Sequence, residues 1–308
     1  MTSMLEAPAP GEEVEDQARQ PGARRSTPYL LLLPGAICLG VLFLAPLAFL
    51  VSQSLQTGSL DAGYTLTFHV QTYLDVLARY HQQLLRSLGY AATATVLALA
   101  IAYPLAYAIA FKSGRWKNVL LVLVIAPFFT SFLIRTLAWQ TILTSDGPVT
   151  STLRSLHVLS LLRTLHLIDA DQLLGSPLAV VTGLTYNFLP FMVLPLYASL
   201  ERVDPRLLEA AGDLYASAWT GFRKVTVPLS LPGAVAGTLL TFIPAAGDYI
   251  NSQLLGSPRT TMIGQVVAGQ FLRVLDYPVA AALSVVLMFT IVILVAAYVR
   301  RAGTEELL

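Results

Sequence analysis

The sequence predicts an all-α membrane protein with six transmembrane helices. Three observations carry this. First, 55% of the 308 residues are hydrophobic and only 12% are charged, with a mean hydropathy of +0.66, whereas soluble domains carry about 25% charged residues. Second, six apolar runs reach the roughly 20 residues a helix needs to cross the hydrocarbon core. Third, Lys and Arg gather in alternate connecting segments, as the positive-inside bias requires. A soluble enzyme is excluded, and a net charge of +1 gives no reason to expect nucleic acid.

Residues 1–27 hold Pro, Gly, Glu and Arg with few large apolar side chains. They cannot bury enough surface to fold alone, so a disordered cytoplasmic tail is expected. The first apolar run, Tyr29–Val51, exceeds the roughly 7–15 residues of a signal peptide and reads as an uncleaved anchor. Cys38 lies in this run and has no second cysteine to pair with, so a lipid-buried or packed thiol is expected. The other runs are Leu84–Phe111, Val119–Leu143, Leu178–Leu200, Leu231–Leu255 and Val279–Val299. Pro46, Pro104, Pro127, Pro190, Pro195 and Pro244 interrupt them, which predicts bent helices packed around a path.

Arg19, Arg24, Arg25, Lys112, Arg115, Lys117, Arg202, Arg206, Arg223, Lys224, Arg300 and Arg301 all fall on one side of this six-span order. That side is the cytoplasm, and both termini are expected there, with 301–308 a short tail. No internal repeat is visible, which argues against a stand-alone secondary transporter. His69, His81, His157 and His166 fall in outside segments without metal-ligand spacing, and no hydrolase or metalloprotease pattern occurs.

Between the fourth and fifth runs lies a polar stretch of about one helix. Asp204-Pro205 is a helix start, because Asp caps free amides and Pro suits the first turn. Leu207, Ala210 or Ala211, Leu214 and Ala218 then recur at helical spacing and form one apolar face. Gly221, Pro228 and Pro232 are expected to limit the helix, leaving a basic turn at Arg223 and Lys224 and a proline-braked entry to the membrane. Such a helix rests on lipid headgroups or docks into a partner groove. The small residues Ala210, Ala211 and Gly212 favour docking, since they allow close backbone approach.

The stretch "EAAGDLYASAWTGFRKVTVPLSLPG" resembles the EAA loop of permease subunits of ABC importers. Glu209, Ala210, Ala211, Asp213, Leu214, Ala216, Ser217, Phe222, Val225, Pro228, Leu229, Pro232 and Gly233 carry the likeness. Tyr215 stands where the family usually has Gly, with Gly212 and Gly221 the other possible sources of a bend. "PFFTSFLIRTLAWQTIL", "TYNFLPFMVLPLYASLERVD" and "FIPAAGDYINSQLLGSPRTTMIG" resemble the spermidine/putrescine-type branch. The resemblance implies a type I importer permease fold over 28–300, with a coupling loop at about 201–230. It implies two cytoplasmic ATP-binding subunits, a second permease subunit and an extracytoplasmic solute-binding protein. The chain has no Gly-x-x-x-x-Gly-Lys-Ser/Thr loop, so no cofactor is expected and a partner would bind ATP. The implied solute is a polyamine; another small organic solute, such as an amino-acid derivative or organophosphonate, is the alternative.

A polyamine path should offer carboxylates and ring faces. Asp248, with Tyr249 beside it, lies in the fifth run, where an ionisable residue is costly and points to function. Its structural alternative is a carboxylate paired with Arg135 or capping helix-break amides. Trp139, Tyr186 and Asn187 are further path candidates, and Tyr and Trp near span ends also serve as interfacial anchors.

Overall fold

The computed structural model describes residues 27–164, 168 and 172–301. The expected tails, 1–27 and 301–308, lie outside the described residues except for Thr27 and Arg301, which belong to the first and last helices; His166 lies outside them too. The chain divides into two units, 1–50 and 51–308. The first contains most of helix α1 (Thr27–Ser54), an apolar helix on which Cys38 is exposed rather than packed.

After α1 a short antiparallel hairpin, β1 (Gln56–Ser59) and β2 (Gly63–Leu66), pairs Gln56 with Leu66. The sequence reading contains no strand here. The hairpin is held from outside, because the Tyr64 hydroxyl donates to the Leu275 carbonyl at 2.6 Å and its ring meets Tyr277 edge-on.

Helix α2 (Gln71–Tyr107) starts well before the expected span at Leu84 and continues as a π-helical turn through Lys112. Tyr73, Val76, Tyr80 and Leu84 recur at helical spacing and pack with Ile263 and Leu283, so this polar extension has an apolar seam of its own. Further along, Ala91, Ala94, Ala98, Ala102 and Ala106 form a fully buried stripe. Alanine lets helices approach closely in a membrane. The stripe packs against α7 (Pro177–Glu201), the most buried span, at Leu184, Phe188, Met192 and Leu196.

The third expected span is not straight. Helix α3 (Lys117–Ile125) tightens into a 3₁₀ turn at Ala126–Phe129, and the chain then turns by 94° into α4 (Phe132–Leu143). Pro127 cannot donate an amide proton, and Thr130 and Ser131 are extended, so the ladder stops there. Short helices α5 (Pro148–Ser155) and α6 (Val158–Thr164) follow. Among the described residues five helices are long and apolar enough to cross a membrane, and six if the bent pair counts as one span.

The polar stretch holds α8 (Pro205–Asp213) and α9 (Ala218–Gly221). The expected proline-braked entry does not occur. A π-helical turn, Phe222–Thr226, joins α9 to α10 (Val227–Ala246) without a break. Pro228 is tolerated because it directly follows this π-helical turn, whose wider register already leaves a carbonyl without an amide partner, so its missing amide proton does not end the helix. The fifth run breaks instead at Gly247–Tyr249 and resumes as α11 (Ile250–Leu255). Helix α12 (Ile263–Gly269) and a π-helical turn lead into the last span, α13 (Tyr277–Arg301). The first α12 amide, Ile263, donates to the buried Ser87 hydroxyl at 2.7 Å, which fixes α12 to α2.

Candidate coupling loop and membrane path

Helix α8 begins as expected: the Asp204 carboxylate accepts from the Arg206 amide at 2.9 Å. Its end is set by Tyr215, which adopts φ +60°. The Tyr215 amide donates to the Gly212 carbonyl at 2.9 Å, and the Ala216 amide reaches back to the Ala211 carbonyl at 3.0 Å. That pair of bonds is a Schellman ending, in which one left-handed residue satisfies the last free carbonyls. Glycine is the usual occupant; here tyrosine takes the position. The bend is therefore present at Tyr215 itself, while Gly212 and Gly221 stay helical. Ser217 then caps α9, accepting from the Thr220 amide at 3.3 Å.

The Tyr215 ring touches nothing and is 100% exposed, and Leu214 and Trp219 are also largely exposed. Leu207, Ala210 and Ala218 of the expected apolar face are exposed as well, as are Glu209 and Asp213. A groove of about 590 Å³ runs between Ala211, Tyr215, Ala216, Thr220, Lys224 and Val225. Exposed apolar surface of this kind marks an interaction site. The loop is also tied to the spans. Phe222 packs edge-on against Tyr103 and Tyr107 of α2, at 5.5 and 5.9 Å, and the Tyr103 hydroxyl lies 2.6 Å from that of Ser230 in α10. A displacement of α9 would reach both helices.

The path candidates separate into three places. Asn187 is buried in α7, and its amide donates to Thr136 of α4 at 3.2 Å and to Asn251 of α11 at 3.0 Å. Asp248, 8% exposed, accepts from the Asn251 amide at 2.8 Å and so caps α11. Of its two structural alternatives, capping is what the fold uses; no ion pair joins it to Arg135. Gly264 lets α12 press on this break, since a Cβ there would lie 2.3 Å from the Gly247 carbonyl oxygen. Trp139 and Tyr186 meet edge-on at 5.4 Å on α4 and α7. Tyr249 does not join Asp248. It lines a different, apolar cavity of about 950 Å³ with Ile243, Val267, Leu287 and Ile291.

Thr136 and Asn251 were not legible as site residues. The one available signal was Asn251 standing three positions after Asp248 inside an apolar run. The cluster leaves the Asn187 Oδ1 and Asn251 Nδ2 atoms buried without partners. Unsatisfied polar groups on broken helices at membrane depth are what a solute or water can engage.

Residues 98–302 match the model of the family described as binding-protein-dependent transport system inner membrane component. The chain belongs to that family. This permease is 36% identical over 242 residues to the spermidine/putrescine transport system permease protein PotB of Escherichia coli K12, a match covering 78% of this chain and 85% of that one. It is 32% identical over 273 residues to PotB of Haemophilus influenzae, covering 88% of each. The inner membrane ABC transporter permease protein YdcU of Escherichia coli is 32% identical over 91% of each chain. Among solved structures, a bacterial ABC transporter that imports the acidic polysaccharide alginate superposes with a TM-score of 0.63 at 16% identity, covering 96% of this permease and 99% of that chain. That likeness gives the fold. The expected class therefore holds: the permease is an ABC importer subunit with the type I arrangement, a transporter component of the inner membrane.

Proposed function

We propose that the permease imports a polyamine as one of two permease subunits, coupled to two cytoplasmic ATP-binding subunits and supplied by an extracytoplasmic solute-binding protein. The observation that carries the solute is the 36% identity to permeases named for spermidine and putrescine, over 78% of this chain. The buried Asp248 carboxylate, the unbonded Asn187 Oδ1 and the Trp139–Tyr186 pair supply acceptors and ring faces that suit an ammonium chain. ATP is bound by the partner, because this chain carries no phosphate loop. Both termini lie in the cytoplasm, on the side of the loop holding α8 and α9.

In this reading Glu209 to Ser217 seat in a cleft of the ATP-binding subunit. Closure of the nucleotide sites pushes α9, and Phe222 passes the movement to Tyr103, Tyr107 and the base of α10. The spans then move as bodies between two states. The test is uptake of labelled spermidine and putrescine by proteoliposomes holding the permease with the subunits encoded beside it. ATP-dependent accumulation that unlabelled polyamine suppresses is expected. ATP-driven uptake of some other solute with no polyamine uptake would overturn the choice of solute, and uptake without ATP would overturn the coupling.

A further inference from the structure

The coupling loop exposes three large apolar side chains, Leu214, Tyr215 and Trp219, and the two rings differ in what lies behind them. The Tyr215 ring touches nothing in the chain, so it can hold a partner but has no contact through which to move the spans. Trp219 is 69% exposed, yet its ring stacks on Phe222, with centroids 5.5 Å apart and planes inclined by 25°. Phe222 in turn meets Tyr103 and Tyr107 edge-on. Tyr107 continues to Phe111 at 5.0 Å. The Tyr103 hydroxyl meets that of Ser230, a fully buried residue whose own hydroxyl donates to the Val227 carbonyl at 3.1 Å. One file of contacts therefore runs from an exposed ring to α2 and to the base of α10.

Helix α9 offers little else to push on. It consists of Ala218, Trp219, Thr220 and Gly221, and Gly221 is buried. Ala218 and Thr220 are short, so a body pressing on α9 meets the Trp219 ring first. Closely packed side chains are hardly compressible and pass a displacement on. We infer that Trp219 is the positioning residue that takes up the movement of the ATP-binding subunit and hands it through Phe222 to α2 and α10, while Tyr215 serves to hold that subunit. This rests on the reading that the loop seats in an ATP-binding subunit.

The test compares Trp219→Ala and Trp219→Phe with the wild type in the co-expressed importer, supplied with the solute-binding protein encoded beside it. In the proposed assembly that protein acts outside and ATP is split inside, so its stimulation of ATP hydrolysis is a signal that crosses the permease. Trp219→Ala is expected to leave the recovered ATP-binding subunit and the melting temperature of the purified chain unchanged. It is expected to lower the stimulation by about fivefold or more, the ordinary scale of coupling between sites. Trp219→Phe keeps a ring against Phe222 and should retain most of the stimulation. Tyr103→Leu cuts the next contact and should lower the stimulation as well, and the double variant with Trp219→Ala should lose little more, as expected of residues acting in one file. Full stimulation with Trp219→Ala would refute the inference, as would an equal loss with Trp219→Phe or additive losses in the double variant. ATP-binding subunit missing from Trp219→Ala would assign the ring to docking, and a lower melting temperature would assign it to the fold; either would overturn the transmitting role. A wild-type importer that holds no ATP-binding subunit would instead overturn the docking reading on which the inference stands.

Discussion

Gly233 closes the loop motif, and its packing predicts a measurable cost for the smallest possible enlargement. A Cβ at this position would lie 2.4 Å from the Ser199 Cβ, 2.6 Å from the Pro195 carbonyl oxygen and 3.1 Å from the Leu196 Cα. Two of these are backbone atoms of α7 and cannot rotate away. Restoring ordinary contact of about 3.4 Å to the carbonyl alone requires α10 to back off by about 0.8 Å, and a gap of that size forfeits a quarter to a half of each contact's attraction. Overpacking costs about 1–3 kcal/mol, and the rigid neighbours place Gly233→Ala near the upper end. Against this, alanine gains about 1 kcal/mol over glycine inside a helix. The expected net loss is about 2 kcal/mol, or a fall of about 4–8 °C in melting temperature, taking 2–4 °C per kcal/mol as for a chain of about 150–250 residues. Thermal unfolding of the purified permease measures it, with Gly212→Ala as control because nothing lies within 4 Å of a Cβ there. Equal melting temperatures for the two variants would refute the reasoning. ATP-dependent uptake should fall with Gly233→Ala as well, since α7 and α10 are the two spans from which the loop hangs.

Three further outcomes are expected. Tyr215→Gly should leave the melting temperature unchanged or slightly raised, because it relieves a left-handed tyrosine and removes no contact within the chain, while ATP-binding subunit recovered with the permease falls several-fold; unchanged recovery would show that the ring is not seated in the partner. Asp248→Asn keeps a cap for α11, since asparagine accepts equally well from the Asn251 amide; the complex should stay assembled while polyamine uptake drops, and wild-type uptake would remove Asp248 from the path. Ser87→Ala leaves the buried Ile263 amide without an acceptor and should destabilise the permease by about 1–3 kcal/mol, read by thermal unfolding; no loss would mean that α12 finds another partner.

The elements that could be read from the sequence are those whose cause is local. Asp204-Pro205 announces a helix start, because a cap depends on residues within a few positions of each other, but the expected apolar face is cut short: α8 ends at Asp213, so Leu214 falls in the turn and Ala218 on α9. The Schellman ending could not be read, since tyrosine is disfavoured at a left-handed position and propensity argues against the conformation the loop adopts. The 94° turn at Thr130–Ser131 was hidden for a different reason: hydropathy along Val119–Leu143 is the same whether the run is straight or bent. Pro228 misled in the opposite sense, because proline marks a break in a regular α-helix but is accommodated just after a π-helical turn.

The membrane cluster shows why the path was the hardest part to read. Asn187 and Asp248 stood out singly as polar residues in apolar runs, but what each does depends on Thr136 and Asn251, which come from two other helices. Tyr249 follows Asp248 in sequence, yet the chain is leaving a helix at Gly247 and entering another at Ile250. Neighbouring side chains at such a break need not share a face, so the ring went to the apolar cavity and the carboxylate to the α11 cap. The same break makes the site usable. A continuous helix would satisfy its amides internally and leave a span nothing to offer a solute. Interrupting α10 and α11 frees amides that need a carboxylate, and the carboxylate that answers them brings a negative charge to membrane depth. The unbonded amide atoms of Asn187 and Asn251 stand beside it. In the proposed polyamine reading, structural capping and solute contact are one role of Asp248: the cap keeps the carboxylate at the break, where a passing cation would meet it.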